Sequence, residues 1–217
     1  DCGESGSTLR FLIPVAAALG CKAGFTGSGR LPERPLEPLL SQLEEHGVSF
    51  SSWRLPFEVS GRLKGGIFCL PGDISSQYLT GILLALPLTG GGEIRLLTPL
   101  QSRGYVDMTV SAMRRFGVEV EEGKKRYAVG AESKYASPGE LEAEGDWSNA
   151  AFWLCAGALS GPVTVTGLDI NSAQGDRAVV DILQAFGADV KPSPGAVTVS
   201  SAELRGIEID AGEIPDL

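Results

Sequence analysis

Slid against itself, the chain repeats with a period of 70 residues. Leu43-Glu44-Glu45-His46-Gly47-Val48, Met113-Arg114-Arg115-Phe116-Gly117-Val118 and Leu183-Gln184-Ala185-Phe186-Gly187-Ala188 fall in register, with glycines at 47, 117 and 187 where helix C-caps belong. The same shift aligns Ser5-Gly6-Ser7 with Ser75-Ser76-Gln77 and with Gly145-Asp146-Trp147, each opening an apolar run. One more step from Asp146 lands on Asp216. A repeat of this length is a whole supersecondary unit, so the polar residues at each helix start occupy equivalent places in one architecture.

Within each copy the pattern reads helix, strand, second helix, two strands. In the first copy, residues 9–19 are apolar on nearly every side, which predicts a helix buried all round. A strand over 23–27 follows. Leu36, Leu39, Leu40 and Leu43 then mark one face of an amphipathic helix, and strands over 48–51 and 66–70 are expected to pair around a turn. The second copy predicts a buried helix over 77–88, a strand over 93–98, a helix carrying Val106, Val110, Met113 and Phe116, and strands over 118–120 and 126–129. The third predicts a helix over 148–159, a strand over 162–167, a helix over 177–186 and strands near 188–191 and 196–200. Residues 134–144 are rich in Ser, Pro, Gly and Glu, and the charge shifts there. Residues 1–143 carry 15 basic and 16 acidic residues, net −1, whereas 144–217 carry 3 and 11, net −8. The expected domain boundary therefore divides 1–143 from 144–217.

That charge distribution offers no sustained basic stripe, which argues against nucleic acid as a partner. It leaves room for a small anion held by a few arginines in the first part. No apolar run reaches the roughly 18 residues of a membrane span, and no basic-then-apolar leader opens the sequence, so a soluble protein with no membrane partner is expected. His46 is the single histidine and sits in a helix ending, so a histidine triad or zinc site lacks material. Cys2, Cys21, Cys69 and Cys155 show no CxxC spacing and read as free thiols of a reducing compartment. No metal is expected.

The chemistry concentrates at helix starts. Asp73-Ile74-Ser75-Ser76-Gln77 stands immediately before an apolar run. Serines there can cap the helix, and the unpaired backbone N–H groups with the positive end of the dipole suit a phosphate. The loops 27–35 and 99–107 each bring glycine and arginine up to a second helix. A capping Ser or a solvated loop Arg is commonplace alone. Their equivalence under the repeat is what makes them a set.

Gly3-Glu4-Ser5-Gly6-Ser7-Thr8-Leu9-Arg10-Phe11-Leu12, Gly29-Arg30-Leu31-Pro32-Glu33-Arg34-Pro35, Ser75-Ser76-Gln77-Tyr78-Leu79-Thr80, Ser102-Arg103-Gly104-Tyr105-Val106-Asp107 and Glu144-Gly145-Asp146 together resemble the 5-enolpyruvylshikimate-3-phosphate synthase family, in that family's order. The resemblance implies an α/β fold of repeated βαβαββ units, an inside-out α/β barrel of the enolpyruvyl transferase type. Two such units would belong to a first domain (1–143), and a third to a second (144–217). It implies transfer of the carboxyvinyl group of phosphoenolpyruvate to the 5-hydroxyl of shikimate 3-phosphate with release of phosphate, on the way to chorismate, without metal or organic cofactor, in a cytoplasmic and monomeric parent protein.

Residue by residue, the resemblance assigns Ser75 and Ser76 to the phosphate of shikimate 3-phosphate, Gln77 to both substrates, Ser102 to a further contact with that phosphate and Tyr105 to a nearby aromatic. Arg30 and Gly6 are assigned to phosphoenolpyruvate, with Gly6 leaving room for it and for the herbicide glyphosate. Glu4 and Ser5 depart from the Asn and Ala common in the family. Asp216, in Ile214-Pro215-Asp216, is implied both as an acceptor ligand and as the general base on its hydroxyl. The resemblance further implies that 217 residues are a central piece, inactive alone, with a Lys, Ser and Arg before it and a catalytic Glu with Lys and Arg anion ligands after it. Two other readings remain: UDP-N-acetylglucosamine enolpyruvyl transferase, against which the Ser-Ser-Gln trio argues, and a non-catalytic binding module that kept the fold.

Overall fold

The three glycines that mark the period end three helices. Gly47, Gly117 and Gly187 have φ of 96°, 79° and 101°, the left-handed turn that a Cβ disfavours. The computed structural model describes residues 1–212, 214 and 217. Their contacts divide into two units, Asp1–Pro138 and Gly139–Leu217.

The first unit runs α1 (Gly6–Ala18), β1 (Ala23–Phe25), a 3-10 turn (Leu31–Glu33), α2 (Leu39–Glu45), β2 (Val48–Phe50) and β3 (Phe57–Gly61). It continues with β4 (Ile67–Leu70), α3 (Ser76–Ala85), β5 (Gly92–Leu96), α4 (Arg103–Arg115), β6 (Val120–Gly123) and β7 (Arg126–Val129). The second unit holds α5 (Trp147–Ser160), β8 (Val163–Thr166), a 3-10 turn (Gly175–Ala178), α6 (Val179–Phe186), β9 (Asp189–Ser193) and β10 (Ala196–Ser200). The sheets repeat as the sequence does: β1-β3-β2 and β8-β10-β9 match the β5-β7-β6 part of β4-β5-β7-β6, all with antiparallel neighbours. Only β4, parallel to β5, is extra; it completes a βαβαββ unit in the middle copy.

One strand escaped the sequence reading, and its absence misassigned another. Residues 66–70 do not pair with 48–51. The partner of β2 is β3, in register Val48↔Gly61 and Phe50↔Val59, while Ile67–Leu70 crosses to the next sheet as β4. Phe57 and Val59 are buried and Glu58 exposed, so β3 does alternate, but over five residues beside Pro56. A parallel neighbour needs a long crossover, here α3, and nothing in a short apolar run says which sheet it joins. The strand expected at 118–120 also starts later, at Val120.

Burial of the first helix follows expectation in the second copy and departs from it in the first. Only α3 is buried all round, with Tyr78, Leu79, Ile82 and Leu83 all sealed. Leu12 on α1 is exposed, and α5 presents Phe152 (75% exposed), Trp153 (64%) and Leu159. α1 packs against α3 at a closely fitted point. Pro14 deprives the Arg10 carbonyl of its intrahelical donor, and Gly81 faces that oxygen so closely that a Cβ would lie 2.3 Å from it. The start of α5 also shifts the register: the N-caps are Ser5, Ser75 and Asp146, so Asp146 matches Ser75 rather than Ser76, and with Gly187 still in period the third copy is one residue shorter between its first cap and the end of its second helix.

The core of the first unit centres on Leu9, Ile13, Phe68, Tyr78 and Ile82, and that of the second on Trp147, Leu154, Leu183 and Val199. His46 stacks on Phe68 at 3.9 Å between ring centroids, with Nδ1 2.8 Å from the Gln42 carbonyl, a packing role at the end of α2. All four cysteines are free thiols, and burial pushes those of Cys2 and Cys155 up. Among the described residues, no helix is long and apolar enough to cross a membrane.

Candidate active site

The turn into α3 is clamped before the helix begins. The Gly72 amide donates to Thr98 Oγ1 (2.8 Å), the Thr98 hydroxyl donates to Asp73 Oδ1 (2.6 Å), and the Gln101 amide donates to the Gly72 carbonyl (3.0 Å). These bonds tie the end of β4 to the loop after β5. A Cβ on Gly72 would collide with Pro99 and Leu100, so the approach is possible only for glycine. Ser75 then caps α3 in an extended conformation, its Oγ accepting from the Gln77 amide at 3.3 Å, and Ser76 is the first helical residue.

The clamp brings a second helix start alongside. Ser102, the N-cap of α4, has φ 52° and ψ 48° and is, among the described residues, the only non-glycine at positive φ; its side chain makes no capping bond. A strained serine whose hydroxyl is not spent on its own helix is the kind of local conflict that functional sites retain.

Cations enter from α1 and the following loop. Arg10 is only 8% exposed. Its Nη1 donates to Gln77 Oε1 (2.9 Å) and its Nη2 to the Pro35 carbonyl (3.1 Å), and its guanidinium carbon lies 5.5 Å from the centroid of the Tyr78 ring. Gln77 Nε2 in turn donates to Ser7 Oγ at 3.0 Å. The Tyr78 hydroxyl donates to the same Pro35 carbonyl. Burial pushes its pKa up, against the lowering effect of Arg10 beside it; Glu37 adds a smaller raising one. Gly6 permits this convergence, since a Cβ there would sit 2.5 Å from Arg10 Nη1 and 3.0 Å from Arg34 Nη1.

Arg10, Arg34, Pro35, the turn 72–78, Gln101 and Ser102 enclose a cavity of about 390 Å³. Of the residues named from sequence, Ser75, Ser76, Gln77 and Ser102 line it, and Gly6 stands behind its two guanidinium groups. Tyr105 lies one turn into α4 and Arg30 is exposed at the start of the Leu31–Glu33 turn, both outside that lining. Asp216 lies outside the described residues. Arg10, Arg34 and Tyr78 were missed as site residues. The signal for Arg10 was available, as one cation in the otherwise apolar stretch 9–19. Hydroxyls, backbone N–H groups at a helix start and two guanidinium groups equip the cavity for a small anion with several oxygens. Among the described residues, no cluster of His, Cys, Asp and Glu could hold a metal ion.

This fold is that of the enolpyruvyl transferases. It matches a crystallographic EPSP synthase from Acinetobacter baumannii (TM-score 0.77, 24% identity, 98% of this chain and 50% of that one) and the enolpyruvyl transferase NikO from Streptomyces tendae (TM-score 0.65, 21% identity, 89% and 46%). Sequence narrows the class. The family model for EPSP synthase (3-phosphoshikimate 1-carboxyvinyltransferase) matches residues 1–217, and the chain belongs to that family. Relatives named 3-phosphoshikimate 1-carboxyvinyltransferase include those of Clostridium novyi, 39% identical over 220 residues, and Methanocorpusculum labreanum, 40% identical over 220 residues. Each alignment takes in all of this chain, which spans about half the length of these relatives (51% and 52%).

Proposed function

We propose that the whole protein transfers the carboxyvinyl group of phosphoenolpyruvate to the 5-hydroxyl of shikimate 3-phosphate, in the cytoplasm and as a monomer. The single observation that carries this reading is the cavity at the start of α3, built from Ser75, Ser76, Ser102 and the Arg10 and Arg34 guanidinium groups in a chain that matches the family end to end. In this reading Ser75, Ser76 and Ser102 hold the phosphate of shikimate 3-phosphate, and Gln77 donates to both substrates. Gly6 and Arg30 serve phosphoenolpyruvate, Tyr105 stands near the acceptor, and Asp216 takes the proton of the acceptor hydroxyl. The acceptor oxygen then bonds to C2 of the enolpyruvyl group, and the bond from C2 to the phosphate oxygen breaks. Holding two anions together requires cations on the protein side, and fixing hydroxyl against enol carbon supplies the orientation that such a transfer needs. Within the fold, residues 1–143 contribute two units to one domain and 144–217 one unit to another.

Calorimetry on the whole protein tests the assignment. Saturable binding of shikimate 3-phosphate, and none of UDP-N-acetylglucosamine, is the expected result. The reverse preference would transfer the site to the amino-sugar branch of the fold, and binding of neither would leave a non-catalytic module.

A further inference from the structure

Arg10 is nine-tenths buried, yet the groups its guanidinium meets on α3 and in the loop before α2 are neutral: the Gln77 amide oxygen, the Pro35 carbonyl and the face of Tyr78. No carboxylate lies within ion-pair distance of it among the described residues, and its Nε is buried without a partner. A buried guanidinium normally costs too much free energy to keep unpaired. Its placement therefore needs a reason, and its first contact supplies one.

An arginine has five donors and no acceptor, whereas an amide has one end of each kind. Gln77 must therefore turn Oε1 toward Arg10 Nη1, because the flipped amide would set donor against donor. With Oε1 committed at 2.9 Å, Nε2 points toward Ser7 and its Oγ accepts at 3.0 Å. Arg10 thus leaves Gln77, which lines the cavity, with its spare capacity as a donor: one Nε2 hydrogen beyond the bond to Ser7. We infer that Arg10 is a positioning residue that locks Gln77 as a hydrogen-bond donor toward an anionic substrate, while leaving its own unpaired charge behind that donor. This deepens the proposed function and rests on it for the identity of the anion. Without Arg10 the amide can rotate by half a turn and present oxygen to oxygen. Pro35 and Tyr78 hold the guanidinium from the other side, so the lock joins α1, α3 and the loop after the Leu31–Glu33 turn.

The test uses the whole protein with Arg10→Lys, Gln77→Ala and the double variant. Arg10→Lys keeps the charge but loses the planar fork, and shikimate 3-phosphate affinity should fall by about tenfold, the size of one misplaced charge-assisted hydrogen bond. In the Gln77→Ala background the same change should cost less than about twofold, because the group it positions is gone, while any loss of melting temperature persists in both backgrounds. Equal losses of affinity in the two backgrounds overturn the inference. Ser7→Ala reads the same chain from its far end if Arg10→Lys does not fold: a loss of affinity confined to the Gln77 background supports the lock, and none overturns it. A ligand-free measurement separates this from failure of the substrate assignment. Hydrogen exchange of the Gln77 side-chain amide by NMR should quicken at least about tenfold in Arg10→Lys or, failing that, Ser7→Ala, and an unchanged rate overturns the lock whatever the protein binds.

Discussion

At the start of α3 the cap is Ser75, and beyond it the chain opens into a cavity lined by hydroxyls and guanidinium groups. At the equivalent start of α5 the cap is Asp146, which accepts from the amides of Ser148 and Asn149 and from the Asn149 side chain. The neighbouring positions there are also taken: Gln174 Oε1 accepts from the Trp147 amide at 2.9 Å, Gln174 Nε2 donates to the Gly145 carbonyl, and Ser148 Oγ donates to the buried Asp176 at 2.7 Å. Two copies of one architecture thus treat the same dipole end in opposite ways. One meets it with a single serine hydroxyl and opens onto a cavity, and the other fills it with the Asp146 carboxylate. A helix start is an anion site only where the fold withholds internal acceptors.

The sharpest way to break that contrast is to remove the hydroxyls. Ser75→Ala with Ser76→Ala in the whole protein should weaken shikimate 3-phosphate binding by about 2–4 kcal/mol, two charge-assisted bonds that add incompletely. Asp146→Ala should leave that affinity unchanged. Calorimetry reads both, and equal losses would erase the distinction between the two starts.

A second contrast lies along the same helices. Gly81 on α3 abuts the Arg10 carbonyl, and Phe152, its counterpart 71 residues on, faces solvent. Gly81→Ala should cost about 1–3 kcal/mol by forcing α1 and α3 apart. Denaturant titration of the 217-residue chain, following the transition of the first unit, would show it; a neutral Gly81→Ala would mean that the contact between α1 and α3 yields easily.

Next in size, Asp146→Ala should destabilise the second unit by about 1 kcal/mol through loss of the cap. The bond from the Asn149 side chain, more than those from Ser148 and the two amides, holds the Asp146 pKa below its ordinary value. Its contribution is then present at pH above the ordinary carboxylate value and fades as pH falls through the lowered one. Asp146→Asn should keep most of the neutral-pH stability and lose this acid dependence. A parallel pH profile in wild type and Asp146→Asn would show the carboxylate charge to be irrelevant. Smallest of all, Trp153→Ser on the open face of α5 should change stability by less than about 0.5 kcal/mol, checked by the same titration.

Ser75, Ser76 and Gln77 stood out in the sequence because capping residues announce helix starts and the repeat made those starts equivalent, and Ser102 because of the family resemblance; all four line the cavity. The three C-cap glycines and most helices were legible for the same reason: local backbone preference and hydrophobic period act over a few residues. Arg10 and Arg34 were not, since an arginine's role depends on what its long side chain reaches, here Gln77, Tyr78 and the space that Gly6 leaves open. β3 was lost in a short alternation beside proline, and β4 was given to the wrong sheet, because strand partners are chosen by non-local hydrogen bonds that leave no mark in the run itself. The sequence alone determined the period, the caps and the family motifs. Tertiary packing decided which helix start opens onto a cavity, since only the folded chain shows whether an Asp and a Gln or a single serine hydroxyl stand in front of the free amides.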